Sequence, residues 1–337
     1  MDTRSNLPIV PASFFGIVLG MAGLGGAWRA AHRLWGVPEA VGETLLAVAT
    51  AVWAVVLLFQ ILKWIFARQE AIAEAHHPVQ CCFIGLIGVA TLLIALAVLP
   101  YSREAAVILF FVGGAFTVAF AVWRTGLLWQ GDRDHVATTA VLYLPTVAGG
   151  FVMATAAAAL GWPDWGQLAF GGAFFSWLAI ESVLLHRLYT AVALAPPLRP
   201  TIGIQLAPPT VGCVAYLSVN GGVPDLAAHV MIGYGLLQAM ILLRLLPWIL
   251  HQGFSPGFWG FTFGTAALTT ATIRLVERGD TGPIAVLAPG LFIAANVVIG
   301  LIALATLHLI IRGRLLTPPA PKPAEAVTAT PIGGRTA

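Results

Sequence analysis

Charge is what this 337-residue sequence has least of: 17 Lys and Arg and 14 Asp and Glu make up only 9% of the chain. A water-soluble surface normally carries about 25–35% charged residues, so a soluble globular protein is excluded. The residual balance of +3 is too small, and too broken up by apolar runs, to hold a nucleic acid. Cysteine is scarce as well. Cys81, Cys82 and Cys213 all lie in apolar stretches without the spacing or histidine partners of a metal site, and they read as small buried hydrophobes. Histidines paired at mid-membrane depth, as haem would need, are missing. His76, His77, His135, His186 and His251 cluster at helix ends, and His229 and His308 fall on outer-layer helices. No nucleophile, base or metal set converges near a membrane midplane, so the chain is not expected to be an enzyme, nor to need a cofactor or metal.

What the sequence has in abundance is hydrophobicity: 59% of its residues are apolar, and the mean hydropathy is +0.90. That composition places the chain in a lipid bilayer, as a polytopic all-α membrane protein. Apolar runs of roughly 20 residues, separated by short polar or Gly/Pro breaks, define ten spans. They lie near 9–31, 41–66, 79–99, 104–129, 139–160, 167–192, 206–220, 225–250, 256–275 and 283–311. The first run has only Arg4 ahead of it as a basic residue and opens a long series of spans, so it reads as a helix and not a cleaved signal. The chain therefore divides into a short N-terminus (1–8), a ten-helix transmembrane domain (9–314) and a disordered Pro/Ala-rich tail (315–337). Gly23, Gly25, Gly26, Gly149 and Gly150 lie inside apolar spans and suit close helix packing better than phosphate binding.

Aligning the prolines exposes an internal repeat. "PASFFGIV" at Pro11, "PVQCCFIG" at Pro78, "PTVAGGFV" at Pro145, "PPTVGCVA" at Pro208 and Pro209, and "PGFWGFTFG" at Pro256 each open an odd-numbered span. The pattern predicts five helical hairpins. Proline within a membrane helix frees carbonyls that lipid cannot satisfy, so the odd helices are expected inside, with the bulky aliphatic even helices outside. Five inner helices about 9 Å apart leave a channel of roughly 3 Å radius if their facing residues are small.

The ninth span meets that condition. Steps of 3.6 residues place Pro256, Gly260, Phe263, Ala267 and Thr270 on one face, and Phe263 is its single bulky member. The expected picture is a pore lined by these residues and by the prolines of the other odd spans, plugged at Phe263. Between their ends the odd spans carry no ionisable residue, so the pore is expected to be electrically neutral and transport passive. Glu181, in the even-numbered sixth span, is expected to pair with an Arg near a helix end, or with Ser or His groups at a subunit contact, the alternative being a proton-coupling role that its place off the odd helices disfavours. Arg4, Lys63, Arg68, Arg124, Arg133, Arg187, Arg199, Arg244, Arg312, Arg314, Lys322 and Arg335 fall on one side of the membrane. Arg29, Arg33, Arg103, Arg274 and Arg278 fall on the other, which puts both termini in the cytoplasm.

Four pieces in order, "LPIVPASFFGIVLGMAGLGGAWR", "HHPVQCCFIGLIGVATLL", "RPTIGIQLAPPTVGCVAY" and "GFWGFTFGTAALTTATIRL", resemble the tellurite-resistance/dicarboxylate transporter family. That family includes bacterial TehA and the plant slow anion channels, and the resemblance runs to about Arg314. It implies ten helices in a quasi-fivefold arrangement around a central pore, usually in a homotrimer with one pore per subunit. It also implies a gate within an aromatic-Thr-Phe stretch, matched here by Phe261, Thr262 and Phe263. Plant members carry proline where this chain has Gly264. The expected function is a passive channel for small anions in a bacterial inner membrane. The alternative is a C4-dicarboxylate or tellurite/sulfite exporter on the same scaffold.

Overall fold

A computed structural model describes residues 8–131, 133 and 135–316. Residues 1–7 and 317–337, which hold most of the expected N-terminus and Pro/Ala-rich tail together with Arg4, Lys322 and Arg335, lie outside the described residues.

The described chain is helical. In order come α1 (Phe15–Trp35), α2 (Glu39–Phe66), α3 (Arg68–His76), α4 (Cys81–Ile84), α5 (Leu86–Val98) and α6 (Arg103–Trp129). They are followed by α7 (Gly149–Ala159), α8 (Pro163–Thr190), α9 (Ala207–Val219), α10 (Leu226–Leu250), α11 (Thr262–Glu277) and α12 (Pro283–Ile311). Long aliphatic runs give α2, α6, α8, α10 and α12 lengths of 28, 27, 28, 25 and 29 residues. At 1.5 Å per residue these reach about 37–44 Å, enough to cross a bilayer with tilt. Among the described residues nine helical stretches are long and apolar enough to span. The ninth expected span is divided between a 3₁₀ segment, Pro256–Phe261, and the 16-residue α11.

Two layers follow from burial. In its most apolar window each long outer helix is only 22–33% buried, whereas the stretches containing α1, α5, α7 and α9 are 61–83% buried. The inner helices touch in sequence: α1 packs on α11, α11 on α9, α9 on α7, α7 on α5, and α5 returns to α1. Each takes its chain successor as an outer partner, so α2 lies on α1, α6 on α5, α8 on α7, α10 on α9 and α12 on α11.

The prolines do not sit where the kinked-helix argument expects them. Pro11 caps a 3₁₀ turn (Ala12–Phe14), and Pro78 lies in the turn before α4. Pro145 lies in a π turn (Leu144–Ala148) that leads into α7. Pro208 and Pro209 occupy the first turn of α9, and Pro256 opens its 3₁₀ segment. At a helix start the N–H has no intrahelical partner, so proline there forfeits no hydrogen bond. Inner spans are consequently a tight, irregular lead-in followed by a short α-helix of 11–21 residues. The first lead-in is anchored by α3, whose Glu74 accepts from the Ala12 amide at 2.8 Å and pairs with Lys63. Lys63 Nζ also donates to the Val10 carbonyl at 2.9 Å.

Candidate functional site

The small-residue face of the ninth span lines two cavities in the structure. Pro256, Gly260 and Phe263 line one cavity of about 70 Å³; Phe263, Ala267 and Thr270 line a second of about 300 Å³. Only Phe263 and Val211 line both. Pro208 lines the first cavity, while Pro11, Pro78, Pro145 and Pro209 line neither and sit at the starts of inner spans.

Close backbone approach sets the position of Phe263. Its ring packs over bare Gly23 of α1, where an added Cβ would stand 3.2 Å from Phe263 Cδ2. Its neighbour Gly264 lets α11 meet the start of α9: a Cβ there would fall 2.8 Å from the Ala207 nitrogen and 2.9 Å from the Leu206 carbonyl carbon. Thr210 Oγ1 uses that closeness to reach the Gly264 carbonyl at 3.1 Å. The passage from 3₁₀ to α on either side of Phe263 is stitched by hydroxyls. Thr262 Oγ1 donates to the Trp259 carbonyl and Thr265 Oγ1 to the Phe261 carbonyl, both at 2.7 Å. Trp259 Nε1 donates to Thr306 Oγ1 of α12 at 2.9 Å.

The two cavities differ in charge. Among the described residues no Asp, Glu, Lys, Arg or His lines the first, but Arg29, Arg33 and Arg274 line the second. The second cavity thus departs from the uncharged lining expected from sequence. The reason is helical periodicity: one more turn beyond Thr270 brings Arg274 onto the same face, within α11 and not beyond its end. Arg29 is held by Glu43 through two bonds of 2.7 and 2.8 Å and by the Leu96 and Ala97 carbonyls. Arg33 pairs with Glu277 at 2.7 Å. Arg274 donates Nη1 to Ser218 Oγ at 3.0 Å.

Val211 was missed in the sequence, although Ala207, Val211 and Val214 of α9 follow helical spacing and all line a cavity. Tyr143 lines the first cavity from a 3₁₀ turn, where no 3.6-residue signal could mark it. Glu181 is also corrected. It lies on outer helix α8, yet its partners are neither Arg, Ser nor His. Oε2 accepts from Tyr143 at 2.5 Å and Trp177 at 2.8 Å, and Oε1 from Tyr234 at 2.5 Å and Gln238 at 3.4 Å. The carboxylate is buried within one chain and ties the inner wall to α8 and α10.

Residues 10–307 match the family described as SLAC1: Voltage-dependent anion channel. The chain is 36% identical over 315 residues to the Tellurite resistance protein TehA homolog of Haemophilus influenzae, covering 93% of this chain and 94% of that protein. It is 24% identical over 310 residues to the Guard cell S-type anion channel SLAC1 of Arabidopsis thaliana, covering 88% of this chain and 55% of that one. An uncharacterized transporter of Methanocaldococcus jannaschii is 24% identical over 245 residues, with 65% and 70% covered.

Proposed function

The chain belongs to the SLAC1 voltage-dependent anion channel family, and from that membership we propose that it is a passive channel for small anions, closed by Phe263. One observation carries the reading: a single bulky ring on a face of small residues lines both an uncharged cavity and an arginine-bearing one. An anion moving between the cavities has to pass that ring, which obstructs it sterically and opposes it with the negative face of its π system.

The closed sequence of contacts among inner helices supports a quasi-fivefold ring of five hairpins around this path. The side richer in Lys and Arg is assigned to the cytoplasm of a bacterial inner membrane, with both termini there. The cavity with Arg29, Arg33 and Arg274 then faces away from the cytoplasm. Arginine stays charged at every accessible pH, and among the described residues no carboxylate or histidine lines either wall, which supports a path without a proton-loading acid or imidazole.

Reversal potentials in planar bilayers, taken across chloride, nitrate, sulfite and malate gradients for the wild type and Phe263→Ala, test the reading. The substitution is expected to raise anion current by roughly tenfold or more, a barrier reduction of about 1.4 kcal/mol or greater. A well-folded Phe263→Ala protein with wild-type flux would refute the gate.

A further inference from the structure

The second cavity holds an imbalance of charge. Three guanidinium groups line it and two are matched, Arg29 by Glu43 and Arg33 by Glu277. Among the described residues Arg274 has no carboxylate partner within ion-pair distance; its hydrogen bond goes to Ser218, whose own hydroxyl donates to the Val214 carbonyl at 2.8 Å. The threonines on the same wall have no proton to offer either. Thr270 Oγ1 donates to the Ala266 carbonyl at 2.9 Å and Thr155 Oγ1 to the Phe151 carbonyl at 3.1 Å. Arg278, a turn further on, points its Nη1 at the Leu217 carbonyl and does not line the cavity.

We propose that Arg274 forms a binding station for one singly charged anion in this cavity, about three helical turns along α11 from Phe263. The proposal rests on reading the two cavities as one conduction path, and it names the class of ion the path takes. A guanidinium edge presents two parallel N–H groups, which match an anion whose adjacent atoms can both accept, as nitrate or a monocarboxylate does. A second negative charge has no counterpart. Sulfate or a dicarboxylate would leave one charge uncompensated in a partly desolvated site, so doubly charged anions are disfavoured.

The station is tested on purified full-length protein by chloride NMR line broadening, with nitrate and sulfate as competitors at constant ionic strength. Wild type is expected to broaden the chloride line saturably, with nitrate displacing chloride and sulfate failing to. Arg274→Gln is expected to weaken nitrate competition by roughly tenfold or more. Arg274→Lys retains the charge and is expected to keep chloride binding while losing the preference for nitrate over chloride. Arg278→Gln serves as a control and is expected to behave as wild type.

In the Phe263→Ala background, Arg274→Gln is further expected to raise the half-saturating nitrate concentration for flux while leaving the maximum little changed. Binding that is indifferent to both Arg274 substitutions, or sulfate competing as well as nitrate, overturns the station. Saturable Arg274-dependent binding in a protein whose Phe263→Ala form carries no anion current sustains the station and overturns the conduction reading instead.

Discussion

A phenylalanine packed on all sides and one projecting into a cavity differ in what truncation costs. A core phenylalanine loses about 3–5 kcal/mol on replacement by alanine, because the protein is left with a void it cannot close. Phe263 is only partly buried and has open space on two sides. Phe263→Ala is therefore expected to cost less than about 2 kcal/mol in denaturant unfolding of the purified protein, while current rises. Glu181 is the converse case. Its carboxylate satisfies Tyr143, Trp177, Tyr234 and Gln238 inside the helix bundle, and Trp177 and Tyr143 are almost wholly buried. Glu181→Ala strands those donors and is expected to destabilise by about 3 kcal/mol or more. An unfolding midpoint unchanged from wild type would mean that the network contributes nothing.

Among elements, the decisive contact is that of α11 with the start of α9. Gly264 meets backbone atoms, Ala207 N and Leu206 C, which cannot rotate away as a side-chain tip could. Gly264→Ala is expected to push α11 outward, lose about 1–3 kcal/mol of stability and alter the leak past Phe263, read as unfolding midpoint and basal current together. Gly26 of α1 is the matched control, since nothing lies within 4 Å of a Cβ placed there. Gly26→Ala is expected to hold or gain stability, by up to about 1 kcal/mol from helix propensity. Equal losses at the two glycines would remove the close approach at Gly264 as an explanation.

For the whole molecule, the proposed path makes a prediction about how transport is driven. With arginines as the only charged groups on either cavity among the described residues, a pH gradient alone has no group through which to act. Liposomes containing the protein are expected to equilibrate anions downhill and to show no uphill uptake when only pH differs across the membrane. Such uptake would sink the passive reading. The outer helices α2, α6, α8, α10 and α12 present apolar surface suited to lipid or to another copy. A homotrimer is the expected assembly, and crosslinking in native membranes that ends at dimers would count against it.

Composition and periodicity alone determined the solvent, the inner and outer layers, and the face of α11 that bears Phe263. These are local properties: a span must be long and apolar to cross lipid, and residues 3.6 apart share a face whatever surrounds them. Tertiary structure decided the rest. Whether a proline kinks a helix or starts one depends on where the preceding turn tightens, and the lead-ins at Pro145 and Pro256 are 3₁₀ and π segments with no sequence period of their own. The two tyrosines that donate to Glu181 come from 38 and 53 residues away, a separation that no local pattern encodes. The charge of the second cavity depends on which arginines find carboxylates across helices. Glu43 and Glu277 reach Arg29 and Arg33 from other elements, and Arg274 is left to face the cavity because none of the described acids pairs with it.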